Sequence, residues 1–378
     1  MAPEFETLLV VGEKESHEHS ADYLTEQLGV EPLVIPEMGR SINPINDYKA
    51  YRKLKSIIKE FKPDIVHTHA AKPGALGRLA AYTSGVKVIV HTYHGHIFHS
   101  YFSSFRTNTF LHIERYMAKI SSSLVAISPL QKKELVDDFK VAPADKFSII
   151  PLGLDLDKFQ IDFWEKRTSF RNEFLLSEDT IAISIIGRLV PVKNHHLFIE
   201  AVAHVFNNTS KNIKAFIIGD GEMRSSLEQY ATGLGLTVSL PGDNNPNANL
   251  VFTSWRSDVD IINAGSDIIA LTSLNEGTPV SLIEAQAAHK PIVSTRVGGI
   301  QDIVQEGKTA LLSDIDDKTA FYNNLLKIVD DDNLRNEMSQ QGKVNVATKY
   351  SYQNLINNMS HLYYNLLQNA PVKSLARV

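Results

Sequence analysis

Short, continuous apolar runs rich in β-branched residues recur along the chain, each followed by a stretch with helical spacing. In the first half they are Leu8–Val11, Leu33–Pro36, Ile65–His67, Val88–His91, Leu124–Ile127 and Phe147–Ile150. In the second half they are Ile181–Gly187, Ile213–Gly219, Leu250–Thr253, Asp267–Leu271, Pro291–Thr295 and Ala310–Leu312. Continuous rather than alternating runs suit strands buried on both faces, as in parallel sheets covered by helices. The strand–helix alternation predicts an α/β fold. Twelve strands are many for one open sheet, so the pattern predicts two doubly wound sheets in two domains. The boundary is expected near Pro151–Arg171, which gives domains over residues 1–156 and 157–348 and a tail over 349–378. In that tail Leu355, Met359, Leu362, Tyr363 and Leu366 predict an amphipathic helix over Tyr350 to Asn369.

Doubly wound sheets gather their ligand-binding loops at the carboxyl ends of the strands, so chemistry is expected in loops that directly follow a strand. The richest such loop is Ser273-Leu-Asn-Glu-Gly-Thr-Pro-Val-Ser-Leu-Ile-Glu284. Thr278 reads as a helix N-cap and Pro279 as the first helical residue, with the helix running to about Ala288. A helix start offers free N–H groups and a positive dipole end to a phosphate, and Gly277 lets backbone approach a ligand closely. Glu276 and Glu284, flanking such an anion site, are suited to accepting hydrogen bonds from sugar hydroxyls on either side of a diphosphate; the plain alternative is two solvated glutamates. Gly187-Arg-Leu-Val-Pro-Val-Lys193-Asn-His sends Arg188 and Lys193 from one strand end. A planar fork and a mobile point charge there can converge on one anion, although a solvated basic loop has the same composition. Gly219-Asp220-Gly221 and Val297-Gly298-Gly299 are tight turns that carry little signal alone.

Histidines crowd two loops of the first half, Asp64-Ile-Val-His-Thr-His69 running on through Lys72-Pro-Gly74, and His91-Thr-Tyr-His94-Gly-His-Ile-Phe-His99. His-x-His after a strand suits a metal site only with carboxylate ligands nearby. No acidic residue follows His69 directly and none lies within or directly after the His91–His99 run, so no metal is expected; cleft-facing histidines donating to sugar or phosphate oxygens are the favoured reading, with core histidines the alternative. No Gly-x-Ser-x-Gly elbow and no Gly-x4-Gly-Lys-Ser/Thr loop occurs.

Composition removes several classes. The 378 residues are 43% hydrophobic and 21% charged, which is ordinary for a globular protein. Lysine and arginine number 38 against 43 aspartates and glutamates, a net charge of -5, so no nucleic-acid partner is expected. The absence of cysteine excludes disulfides, thiolate nucleophiles and iron–sulfur clusters. The start lacks a basic segment and its apolar run, Leu8 to Val11, is only four residues long, so no leader is expected. No stretch of about 18 apolar residues occurs. The expectation is a soluble, cytoplasmic chain, with peripheral contact at the inner face of the plasma membrane left open.

Taken together, these motifs resemble the retaining nucleotide-sugar glycosyltransferases of family 4, of the bacterial capsule and exopolysaccharide type. Glu276-x7-Glu284 with Asn-Glu-Gly-Thr-Pro is that family's signature, and Gly187-Arg188 to Lys193, Gly219-Asp220-Gly221, Trp255-Arg256-Ser257-Asp258-Val259 and Gly298-Gly299 stand in its order. Val66-His67-Thr-His69, Lys72-Pro-Gly74 and Leu76-Gly-Arg-Leu-Ala-Ala match in the first half. The resemblance implies the GT-B fold, two Rossmann-like domains facing across a cleft. It implies that Arg188 and Lys193 neutralise the donor diphosphate, that Glu276 holds the donor sugar, and that Glu284 holds the ribose. Gly187, Gly219, Gly221, Gly277, Thr278, Pro279 and Val280 would line the donor, with Trp255 and Arg256 near the base. His94 would approach the donor sugar; His69, Lys72 and Gly74 would face the acceptor or the cleft. The tail helix would cross back onto the first domain. No cofactor is implied beyond a nucleotide sugar, preferably a UDP-sugar, and the acceptor would be a saccharide or a lipid-linked one. One departure is notable: Leu8–Val11 with Gly12-Glu13-Lys14 looks like the second strand of that family's first domain, so a first strand, a Gly-rich loop and a helix are expected to be missing, with an exposed sheet edge as the result. Alternatives that keep the fold are a sugar-nucleotide epimerase, a phosphorylase, or a catalytically silent fragment.

Overall fold

The computed structural model describes residues 4–13, 29–39, 41–95, 104–243 and 245–369, the side chains of 104–107 excepted. His96 and His99 of the second histidine loop lie outside the described residues. The chain divides into two units, Met1–Pro151 with Leu355–Val378, and Leu152–Asn354.

All twelve expected strands form. They are β1 (Val10–Gly12), β2 (Leu33–Ile35), β3 (Ile65–His69), β4 (Val88–Tyr93), β5 (Ser123–Ala126), β6 (Phe147–Ile149), β7 (Ile181–Ile186), β8 (Ile213–Ile218), β10 (Leu250–Ser254), β11 (Ile268–Leu271), β12 (Ile292–Thr295) and β13 (Ala310–Ser313). A thirteenth, the two-residue β9 (Val238–Ser239), is too short to give a pattern. Every pairing between these strands is parallel.

The second unit holds one seven-stranded sheet in the order β13-β12-β11-β7-β8-β10-β9. Chain order reverses between β7 and β11, so the switch point of this sheet lies where those two strands end. β8 is buried along its whole length, as a strand covered by helices on both faces must be. On one face Phe170 meets Phe174 and Phe216 at ring separations of 4.9 and 5.2 Å, which seats the helix Phe163–Glu173. Arg167 and Arg171 of that helix bind Asp267 at 2.8 and 3.3 Å.

The first unit holds a four-stranded sheet, β3-β4-β5-β6, and a separate pair, β1-β2. The helix Pro44–Phe61 starts at Asn43, whose side chain accepts from the amides of Ile45 and Asn46, and it buries Ala50, Leu54 and Ile58, one residue per turn. The tail forms the helix Tyr352–Gln368, which packs Met359 and Tyr363 against Val88, Val90 and Val125. Arg78, fully buried, makes a two-pronged bond to Glu114 at 2.7 and 3.0 Å and donates to the Gly74 carbonyl at 2.9 Å. Among the described residues β1 pairs only with β2 and β3 only with β4, and an apolar hollow of about 510 Å3 is lined by residues of both β1 and β3.

Candidate active site

Because the second sheet is parallel, every loop after one of its strands emerges on the same edge. In strand order, these are the turns at 297–299, 273–278, 187–193, 219–221 and 254–256. Their backbones touch. A Cβ on Gly219 would lie 2.0 Å from the Gly187 carbonyl, and one on Gly221 would lie 2.5 Å from the Leu189 carbonyl. Only glycine fits either place, and both residues have positive φ (144° and 159°). A Cβ on Gly299 would lie 1.8 Å from the Gly277 carbonyl, so the Gly298-Gly299 turn forms the seat of the 273–278 loop. The Gly299 amide donates to the Glu276 carbonyl at 3.1 Å.

At the switch point, Lys193 and Glu276 form an ion pair. Glu276 also accepts from the Ser273 hydroxyl at 2.5 Å. The loops are tied around this pair: the Leu274 amide donates to the Val192 carbonyl at 2.8 Å, and the Thr272 hydroxyl donates to the Lys193 carbonyl at 2.9 Å. Arg188 leaves the same strand but stands exposed, and it makes no ion pair among the described residues. Lys193 is turned to Glu276.

The helix after this loop is Val280–Ala287, and no side chain caps it. Its cap position falls on Pro279 rather than on Thr278, because Pro279 keeps an extended ψ of 105° and the first helical geometry appears only at Val280. Glu284 lies one turn further in. Burial pushes its carboxyl up to about 7, with Lys158 opposing and Asp260 reinforcing the shift. Next to this loop, His195 is buried and neither of its ring nitrogens has a partner among the described residues.

The turn after β10 is locked to the turn after β8. The Gly219 amide donates to the Ser254 carbonyl at 3.0 Å, and the Ser254 hydroxyl donates to Asp220 at 2.5 Å. Trp255 is half exposed. Arg256 is engaged elsewhere, by Asp258 and Glu173 at 2.5 Å each, and these carboxylates raise its pKa well above the ordinary value.

In the first unit, His69 Nδ1 lies 2.9 Å from His94 Nε2, and His67 stacks on His69 at 4.5 Å. His67 is pinned on both sides, by the Tyr363 hydroxyl at 2.6 Å and by Thr92 at 2.7 Å. Desolvation, reinforced by neighbouring rings, pulls His67 down to about 3 and His69 to about 4; desolvation also lowers His94, so the cluster is neutral near pH 7. Lys72 is bound to Asp47 at 2.5 Å. Gly74 is a packing glycine: a Cβ there would lie 2.5 Å from the buried His91 ring. Among the described residues no group of three or more His, Asp or Glu is placed to hold a metal ion.

Comparison with known proteins gives each half of the chain a family match. The family described as Glycosyl transferases group 1 matches residues 166–345, and Glycosyltransferase Family 4 matches residues 7–158. The UDP-Gal:alpha-D-GlcNAc-diphosphoundecaprenol alpha-1,3-galactosyltransferase of Escherichia coli is 30% identical over 351 residues, which are 92% of this chain and 87% of that protein. This chain is a family 4 glycosyltransferase. The capsular polysaccharide biosynthesis glycosyltransferase CapM of Staphylococcus aureus is 25% identical over 90% of this chain and 86% of its own. Among solved structures, Anabaena HepE in complex with UDP superposes with a TM-score of 0.76 at 18% identity, covering 91% of this chain and 89% of that one. A glycosyltransferase from Rickettsia africae superposes with a TM-score of 0.75 at 19% identity, covering 96% and 91%. The glycosyltransferase has the GT-B fold that the sequence motifs implied.

Reasoning from sequence missed several residues of this glycosyltransferase that the structure brings into its loops. Ser273 opens the quoted run but reads as an ordinary loop serine, yet its hydroxyl holds Glu276. Tyr363, read only as a position on an apolar helix stripe, fixes His67 from 296 residues away. A pairing of that separation has no local signal.

Proposed function

We propose that the enzyme transfers a hexose from a UDP-sugar to a saccharide carried on a lipid diphosphate, with retention at the anomeric carbon. The observation that carries this reading is the Lys193–Glu276 pair at the switch point, beside an uncapped helix start and Glu284. Without donor, the Glu276 carboxylate acts as the anion that Lys193 needs. With donor, the diphosphate replaces it, and Glu276 is released to accept from sugar hydroxyls while Glu284 accepts from the ribose. As the diphosphate leaves, an oxocarbenium-like state develops and the acceptor hydroxyl attacks from the same face. Charge then grows on the leaving group, where Lys193, Arg188 and the N–H groups at Gly277–Val280 would meet it. Gly187, Gly219 and Gly221 would give the donor a backbone surface, with Thr278 and Pro279 entering the helix and Trp255 and Arg256 beside the base. The reading needs no cofactor and no metal, since cations and amides of the chain supply the charge. UDP is favoured because the Escherichia coli relative is named for UDP-Gal and for a diphosphoundecaprenol acceptor.

A lipid-linked acceptor calls for a membrane-facing surface. The helix Pro44–Phe61 supports one: Lys49, Arg52, Lys55 and Lys59 lie on it with exposed Ile45 and Tyr48, suited to an anionic leaflet. No helix among the described residues is long and apolar enough to cross a membrane.

The test offers UDP- and GDP-hexoses with a lipid-diphosphate-linked acceptor, measures nucleotide release, and reads the product's anomeric configuration by NMR. An α-donor yielding an α-product with UDP release is expected. An inverted product overturns retention, and the absence of both donor turnover and UDP binding overturns the transferase mechanism at these residues.

A further inference from the structure

A groove of about 630 Å3 opens in the second unit, lined by Gln160, Asp162, Phe163, Trp164, Glu165 and His289. It lies at the amino edge of the sheet, since His289 leads into β12 and Gln160 reaches the Ala287 carbonyl at the far end of the helix Val280–Ala287. The loops assigned above follow the carboxyl ends of the strands and face the start of that helix. An eight-residue helix, about 12 Å long, therefore separates the two places.

The groove is built rather than incidental. Gln160 is held at both ends: its amide donates to Ala287, and its carbonyl accepts from His289 Nε2 at 3.1 Å and from Lys343 at 3.1 Å. Asp162 (φ 52°) and His289 (φ 57°) both sit in the left-handed region, which disfavours residues other than glycine. Trp164 is 75% exposed, propped edge-on against Phe163 at 5.4 Å and 87°. The Phe163 ring in turn covers the buried Lys290 ammonium at 4.9 Å.

An open indole plane beside the exposed carboxylates of Asp162 and Glu165 matches the two faces of a pyranose, whose C–H side stacks on the π-surface and whose hydroxyls donate to carboxylate oxygens. The lining carries two carboxylates and no lysine or arginine, and Lys343 and Lys290 stand behind it on Gln160 and Phe163, so the groove holds no excess positive charge to select a phosphate. We propose that this groove is a saccharide-binding site for neutral oligosaccharides, separate from the donor loops.

The chain has two tryptophans, Trp164 and Trp255, so their two indole N–H signals in a 15N-labelled sample report the groove and the donor loops separately. Titration of the full chain with maltoheptaose and cellohexaose, without any donor, should move the Trp164 signal saturably and leave the Trp255 signal in place. Trp164→Ala should abolish binding measured by calorimetry, Trp164→Tyr should restore most of it, and Asp162→Asn should weaken it at least fivefold. Donor hydrolysis by Trp164→Ala should remain at the wild-type rate, so the groove and the proposed transfer chemistry stand or fall separately. The proposal is overturned if neither sugar moves the Trp164 signal, if both tryptophans respond alike, if anionic vesicles move it and sugars do not, or if Trp164 instead controls self-association by sedimentation.

Discussion

At the residue scale the proposed mechanism turns on the contact of Lys193 with Glu276. An ammonium that meets developing charge on a leaving group acts mainly in the transition state, so Lys193→Ala is expected to lower kcat by about 10²-fold or more with a smaller change in donor KM. Steady-state rates of UDP release check this. Arg188→Ala should cost less, because Arg188 stands exposed and its charge is screened. Glu284 adds a pH dependence whose sign is fixed by its environment. Its ordinary value of 4.5 is raised to about 7, so the folded protein keeps that proton across this window while the unfolded chain loses it. The contribution of Glu284 to stability therefore falls as pH rises from 4.5 to 7. In the proposed donor complex the ribose hydroxyls donate to the Glu284 carboxylate, so UDP affinity is expected to move the opposite way. It should rise with pH up to about 7, by at most about tenfold per unit, and then level off. Calorimetric titration with UDP between pH 5.5 and 8.5 reads this slope, and Glu284→Gln should bind weakly at every pH.

At the scale of elements, the glycines decide the shape of the site. Gly299→Ala would push a methyl group to 1.8 Å from the Gly277 carbonyl, so the 273–278 loop must move. UDP affinity should fall at least tenfold while the far-ultraviolet circular dichroism stays that of the wild type, since the turn lies outside β12. Here the sequence was most readable. Unbroken apolar runs such as Ile181–Ile186 and Ile213–Ile218 are strands because burial on both faces tolerates no polar alternation. Gly219 and Gly221 looked like weak signals because much of their need for glycine comes from a neighbouring loop, in addition to their own positive φ. Arg256 stands in a donor-side motif, yet its partners Glu173 and Asp258 show how much of its charge is spent on structure. Arg78 and Glu114 are a buried pair, 36 residues apart in the chain, which no local pattern reveals.

At the scale of the whole molecule, the proposed donor loops and both tryptophans belong to the same unit, Leu152–Asn354. Tryptophan fluorescence during heating therefore reports that unit alone. UDP at about 100 times its Kd should stabilise it by roughly 2.7 kcal/mol, seen as a rise in the fluorescence midpoint. A midpoint that does not move would remove the donor site from these loops. The division into two units was legible from strand count and order, whereas the break within the first unit's sheet shows its full geometry only in space. There, among the described residues, β1 and β3 each leave one side without a strand partner beside an apolar hollow, where water is a poor substitute for a strand. Such a sheet keeps two clocks. Amide protons of Val10–Gly12, held from one side only, should trade with deuterium orders of magnitude sooner than those of Val88–Tyr93, which are flanked on both sides. Mass spectrometry of peptides after brief deuterium labelling would then find β1 and β2 opening together while β3 to β6 remain closed.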